Sequence, residues 1–346
     1  MRSWIYLSIL AFFAVTMLGT SQSSNETILV NLMIESGMPV AASEEQVNAE
    51  VLNLSNLYNA INEKHLVATI FPTQDAVNSY ENLLLTRIGS DSQFELAMTG
   101  NHSNEKLSSM SFVDQSIMLK RSKDYVESCK ICGQNEINVS GFMPQSFDQN
   151  EDTYRALREM NIQYDAGFQA GLLFASGHEN DVWPYHLEGY DIYAVPVSTY
   201  IISDKKIVLQ DSYFKENGFT AAQWTDALKG KFDEIQGKDE PMVVVLTAEV
   251  SGSGEYLDSL NGFLDYAASK KAIFVTTANL VSLAKASSHD VSVLPTNASK
   301  ECLTCNQDKN LINITASVSI NEFMQSANNT TNTTKAGTAE VAADTR

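Results

Sequence analysis

Four cysteines form two Cys-x-x-Cys pairs, Cys129-Lys130-Ile131-Cys132 and Cys302-Leu303-Thr304-Cys305, with none left over. Paired knuckles of this spacing can hold a tetrahedral zinc through four thiolates. In an oxidising compartment the same residues form disulfides, within each pair or between the pairs, and for an exported chain this is the favoured reading. Under either reading the cysteines are expected to serve stability, not turnover. His178 and His186 flank Trp183-Pro184-Tyr185. Their spacing is not a metal-site pattern, although both could act as ligands. Trp183, Tyr185, Tyr190 and Tyr193 could stack on sugar rings, with ordinary packing as the competing reading.

The elements that position such residues show as short apolar runs and helical periodicities. Residues 28–34, 66–71, 192–197, 242–246 and 272–275 have the length and apolar continuity of strands buried on both faces. Helical spacing fills residues 45–64, 111–129, 153–160 and 256–270. Strands alternating with helices predict an α/β fold with a mainly parallel sheet, and one domain over residues 25–285 suits a barrel of β/α units. In such barrels the chemistry lies at the C-terminal strand ends. That directs attention to Glu35 and Ser36, to residues 72–75 and to residues 247–249.

Of the 346 residues, 23 are Lys or Arg and 42 are Asp or Glu, a formal net charge of −19. Hydrophobic residues make up 44%, enough for one large core or two modest ones. This balance excludes a fully disordered chain and a multi-span membrane protein. It also argues against nucleic acid as a partner, because like charge repels the phosphate backbone.

The N-terminus carries Arg2, an apolar stretch from Trp4 to Gly19 and then small polar residues, so residues 1–23 read as a secretory signal peptide. The expected location is secreted or at the cell surface. Asn-x-Ser/Thr sequons start at Asn25, Asn53, Asn101, Asn138, Asn297, Asn313, Asn328, Asn329 and Asn332, as expected of a glycoprotein. Residues 286–325 form a C-terminal extension holding the second Cys pair. Residues 326–346 lack the apolar surface to offset their ordering entropy, and are expected to be a disordered tail.

In chain order the sequence resembles the polysaccharide deacetylase family, carbohydrate esterase family 4, across residues 28–283. Ala68-Thr69-Ile70-Phe71 is similar to that family's Ala-Thr-Phe-Phe strand, and Gly100-Asn101-His102-Ser103 to its Gly-Asn-His-Thr. Phe142-Met143-Pro144-Gln145 stands in the place of Phe-Arg-Pro-Pro. Residues 153–164 resemble the next helix and strand, residues 243–246 and 263–266 the last strand and its helix, and Phe274-Val275-Thr276-Thr277 the closing Phe-Val-Thr-Leu. The resemblance implies a distorted (β/α) barrel with fewer than eight strands. It also implies metal-assisted removal of N-acetyl groups from amino-sugar polymers. In that chemistry one Asp and two His hold a divalent metal such as zinc, and a second Asp is the base.

The matching positions are altered. Met33-Ile34-Glu35-Ser36-Gly37 stands where the family has Thr-Phe-Asp-Asp-Gly, so Glu35 falls at the base and Ser36 at a metal ligand. A neutral Ser is a poor substitute for an anionic ligand. His102 keeps a metal-ligand position, while Lys106, four residues on, replaces the second His with a cation. Met143 replaces the Arg that orients the base, and Thr247 or Ala248 replaces the late His expected to act as acid. The expectation is an exported deacetylase-like protein that binds, or once deacetylated, N-acetylated glycans or a cell-surface polymer, with catalysis impaired. Two alternatives stand beside it: an active metal-dependent deacetylase with a rearranged site, and a structural surface glycoprotein.

Overall fold

A computed structural model describes residues 28–128 and 137–286. The signal-like segment, both Cys-x-x-Cys pairs, the extension beyond residue 286 and the tail lie outside the described residues. In chain order the first half comprises β1 (Leu29–Ser36), α1 (Glu44–Asn62), β2 (Ala68–Pro72), α2 (Gln74–Ser79), β3 (Phe94–Leu96), α3 (Phe112–Glu127), β4 (Gly141–Phe142), α4 (Glu151–Glu159) and β5 (Tyr164–Gln169). The second half comprises β6 (Tyr185–Leu187), β7 (Ile192–Val197), β8 (Thr199–Ile202), β9 (Lys205–Val208), α5 (Asp211–Glu216), α6 (Ala221–Glu234), β10 (Met242–Thr247), α7 (Ala248–Ser251), α8 (Gly254–Ser269), β11 (Ile273–Val275) and α9 (Thr277–Ala286). Among the described residues no helix is long and apolar enough to cross a membrane.

Local sequence sets the helix starts. Ser43 accepts from the Gln46 N–H while the Gln46 side chain takes the Ser43 N–H, a reciprocal cap at the start of α1. Asn150 and Thr153 form the same device on α4, and Thr220 and Gln223 on α6. Ser111 caps α3 through the Asp114 N–H. Each bond satisfies a backbone donor that has no partner inside its helix.

Two parallel sheets build the barrel. One runs β10-β1-β2-β3, with β11 on β1, and the other β4-β5-β7, with β6 antiparallel on its edge. They join at two seams. Met98 N–H donates to Gly141 O at 3.1 Å and Met143 N–H to Met98 O at 3.1 Å. Across the other seam Ser198 N–H reaches Val243 O at 3.0 Å, and Val245 N–H reaches Leu209 O at 3.0 Å. The ring of parallel strands is therefore β1, β2, β3, β4, β5, β7 and β10, with residues 208–210 filling the gap beside β10. This is the distorted barrel with fewer than eight ring strands.

Alternation along each strand separates two apolar layers. Val30, Leu32 and Ile34 of β1 join the layer that also holds Leu54 and Leu57 of α1, Trp224 and Phe232 of α6 and Phe263 of α8. Met33 faces inward with Phe71, Ala97, Met143, Tyr164, Ala166, Val195, Val197, Val243 and Val245. The N-terminal end of the barrel is closed by α9, whose Leu280 and Val281 enter the inner cluster. Beside them Thr277 Oγ1 meets Thr69 Oγ1 at 3.0 Å, Thr69 Oγ1 donates to Glu95 at 2.9 Å, and Tyr164 OH donates to Glu95 at 2.7 Å. Glu95 also accepts the Ala278 N–H, favourable for an anion at a helix start. The open end is the C-terminal mouth.

Candidate functional site at the barrel mouth

β1 delivers two neighbouring side chains to opposite faces. Glu35 continues the inward row of Asn31 and Met33, and its register partner on β10 is Thr247, which continues Val243 and Val245. Glu35 Oε2 accepts from the Gln210 amide at 3.3 Å. Asp211, fully buried, takes the Thr247 N–H on both oxygens at 2.9 Å and the Ser212 N–H at 2.6 Å. Burial raises the Glu35 carboxyl from 4.5 to about 7; the nearby Asp211 charge adds to this, and the Gln210 amide opposes it. Burial likewise lifts Asp211 from 3.8 to about 6, against the hydroxyls of Ser251 and Thr247 and two backbone N–H groups. Near neutral pH, Glu35 populates both protonation states and can donate or accept.

Ser36 points the other way, into the layer between strands and helices. Its Oγ donates to Glu50 of α1 at 3.0 Å and lies 2.7 Å from Tyr80 OH. Burial raises Glu50 from 4.5 to about 7, with the Ser36 hydroxyl bond opposing it. Glu35 and Ser36, paired by the sequence reading in one site, are separated by a single step of strand alternation.

His102 sits in turns between β3 and α3. Residues 101–104 are bends and turns, and Asn104 has φ of 68°, so residues 102 and 106 are not brought onto one face of a helix. His102 Nδ1 lies 3.1 Å from Asp75 Oδ2 and its Nε2 lies 3.5 Å from Glu105 Oε1. Glu105 also accepts the Asn101 N–H at 2.7 Å, and burial raises its pKa. Lys106 is exposed. Met143 is buried in the barrel interior, where a guanidinium would lack water.

The divalent metal implied by the resemblance meets an unsuitable donor set. Ser36 is neutral and committed to Glu50 and Tyr80 on the outer face; His102 has carboxylates at both ring nitrogens; Lys106 contributes a cation. Among the described residues no group of three or more His, Cys, Asp or Glu side chains is arranged to hold an ion. The residues do not fit that metal centre.

Among the described residues neither His178 nor His186 belongs to a group of three or more side chains that could hold an ion. His178 bonds Asp181 at 2.6 Å and stacks on Tyr185, with ring centroids 3.9 Å apart. His186 packs edge-on against Tyr193, near the N-terminal end of β7 and opposite to the mouth. Trp183 donates to Asp239 O just before β10, and Tyr190 packs on Tyr154. These aromatic residues pack within the fold. Residue types alone did not single out Gln210, Asp211, Glu50 or Tyr80. The inward alternation of β1 and β10 was the available signal for what surrounds Glu35.

No family model matches the chain, and no curated protein matches it. Solved structures do. A protein from Mycobacterium smegmatis assigned as a polysaccharide deacetylase is 15% identical, with 76% of this chain and 92% of that one covered and a TM-score of 0.59. One from Pseudomonas aeruginosa PAO1 with the same assignment is 15% identical over 75% and 91%, also at 0.59. The PuuE allantoinase is 15% identical over 75% and 90%, at 0.57. The likeness shows the fold: this chain shares the α/β architecture of these three structures.

Proposed function

We propose that this chain is an exported protein of polysaccharide deacetylase fold that binds N-acetylated glycans at the barrel mouth and does not carry out metal-dependent deacetylation. The observation behind this reading is the split at the end of β1. Glu35 faces the mouth with the Gln210 amide at 3.3 Å, while Ser36 is turned outward onto Glu50 and Tyr80. A mouth of this kind offers an acetamido group complementary partners. Protonated Glu35 donates to a carbonyl oxygen, ionised Glu35 accepts an amide N–H, and Gln210 orients the carboxyl. Deacetylation needs a polarised carbonyl and an activated water together. Glu35 can supply a proton acceptor, but the donors around Ser36 and His102 do not provide the Lewis acid's cage. Export rests on residues 1–23.

Three measurements on purified protein test the reading: calorimetric titration with chitotetraose, acetate release from the same oligomer, and bound-metal analysis. The expected result is binding with neither acetate release nor stoichiometric metal. Acetate release that chelation abolishes and Glu35→Ala eliminates would instead establish the active, rearranged enzyme. Absence of binding to chitotetraose and to a panel of other N-acetylated oligomers would favour a structural surface protein.

A further inference from the structure

The turn leading from β4 to α4 holds two consecutive residues, neither of them glycine, in the left-handed region: Ser146 at φ of 52° and Phe147 at φ of 58°. A backbone of this kind is unfavourable for any residue with a β-carbon and persists only where its surroundings over-determine it. Three side chains of the turn tie it down. Gln145 Nε2 donates to Thr99 Oγ1 at 3.1 Å, and Asp148 takes the Ser108 N–H at 3.0 Å and the Ser108 hydroxyl at 2.5 Å. The third anchor, Gln149, is buried, and its Nε2 donates to Gly167 O of β5 at 3.1 Å. Gly167 is held on its other side by Asp165, which accepts its N–H at 2.8 Å. The register of β5 on β7 shifts between Asp165 and Phe168, and the Gly167 peptide groups turn to these two side chains. An added β-carbon at Gly167 would lie 2.4 Å from Gln149 Nε2 and 2.5 Å from Pro144 Cγ, so glycine is what lets the turn come this close.

The two side chains that grip Gly167 each leave one oxygen over. Asp165 Oδ2 and Gln149 Oε1 are both buried and have no hydrogen-bond partner among the described residues. Both are acceptors, and a buried acceptor without a donor is costly. One proton on Asp165 answers both, because a protonated carboxyl donates from one oxygen and an amide oxygen accepts. No charged group faces Asp165 to hold it ionised. Its register partners are Phe142 on β4 and Ala194 on β7, α4 presents Tyr154 stacked on Phe168, and Asp148 of the turn is taken up by Ser108. Burial raises the carboxyl, opposed only by the Gly167 N–H and the Gln149 side chain. Once ionised, Asp165 Oδ2 is a buried anion whose available donor is the Gln149 amide. Rotating that amide to the carboxylate takes Nε2 off Gly167 O and removes the buried anchor of the strained turn.

We propose that a buried proton shared between Asp165 and Gln149 latches the strained turn at residues 144–149 to β5, and that loss of this proton to solvent releases the turn. The latch works on the chain between β4 and α4 and does not depend on what the mouth binds. Its test is amide hydrogen exchange of the full chain, corrected for the intrinsic pH dependence of exchange, with β1 and β10 amides as the reference for global opening. Protection of the amides at residues 145–149 should fall about tenfold or more between about pH 5 and pH 7, and by more than that of β1 and β10. Asp165→Asn presents an N–H to Gln149 Oε1 where the protonated acid presents an O–H, so it should keep the turn protected at both pH values. Gln149→Met, which removes the amide, should leave the turn poorly protected at both. A turn whose protection does not change with pH, or changes only in step with β1 and β10, would overturn the latch. So would a full pH-dependent fall in Asp165→Asn, or undiminished protection in Gln149→Met.

Discussion

Asp165 of β5 gives a quantitative prediction. It is fully buried, and one oxygen accepts the Gly167 N–H at 2.8 Å. Burial raises its pKa from 3.8 to about 7, only partly opposed by that N–H and the Gln149 side chain. A raised folded-state pKa means that the folded protein holds the proton more tightly than the unfolded chain does. Stability from this group is therefore complete at acid pH and is lost as pH rises through the folded pKa. About three units at roughly 1.4 kcal/mol each give a total effect of about 4 kcal/mol. Some 2–3 kcal/mol of that loss should fall between about pH 5 and pH 8. Asp165→Asn keeps an acceptor for the Gly167 N–H and cannot ionise. In urea unfolding it should be more stable than the parent at about pH 8, with the gap narrowing toward pH 5. Glu35, Glu50 and Asp211 titrate in the same direction, so the variant should still lose some stability with rising pH. A variant whose stability falls with pH as steeply as the parent's would refute the reasoning.

Further predictions concern the mouth and the surface. Met143→Ala should cost about 2–5 kcal/mol in urea unfolding, because the side chain fills the barrel interior; a loss below about 1 kcal/mol would show that the cavity had collapsed without cost. Ser36→Asp sets a second buried carboxyl beside Glu50, so the thermal midpoint should fall, more at high pH than low, with no zinc gained by calorimetry; tight zinc binding by this variant would reverse the donor-set argument. Ser146→Gly should raise the midpoint by relieving the left-handed backbone, and an unchanged or lower midpoint would contradict that. In a eukaryotic secretory host, Asn138, exposed ahead of β4, should carry a glycan while half-buried Asn53 and Asn101 should not, as read by peptide mass spectrometry after deglycosylation. An occupied Asn53 or a bare Asn138 would contradict this.

The strands legible in the sequence are those buried on both faces. Residues 28–34 and 242–246 became β1 and β10 because a parallel strand inside a barrel needs apolar side chains on each side. β4 is two residues long, and β5 contains Asp165 and Gly167, so neither has an apolar run to read. The β8–β9 hairpin turns on Ser203 and Asp204, both at positive φ, without the Asn-Gly or Asp-Gly signature. α6 carries a capping-box pattern in Thr220 and Gln223, but its apolar residues do not stand out as a helical run in the sequence. Glu35 was placed correctly at a strand end, and alternation already implied that Ser36 must face elsewhere. The resemblance joined them because its register treats adjacent acids as one site. Gln210 and Asp211 were beyond sequence reasoning, since their place beside Glu35 depends on residues 208–210 entering the gap next to β10.

The central claim is that this mouth engages an acetylated sugar without a metal. Its most direct test is chitotetraose titration before and after exhaustive chelation, with acetate measured in the same samples. The account predicts the same affinity in both and no acetate. Loss of binding on chelation, or acetate that returns when zinc is restored, would contradict it.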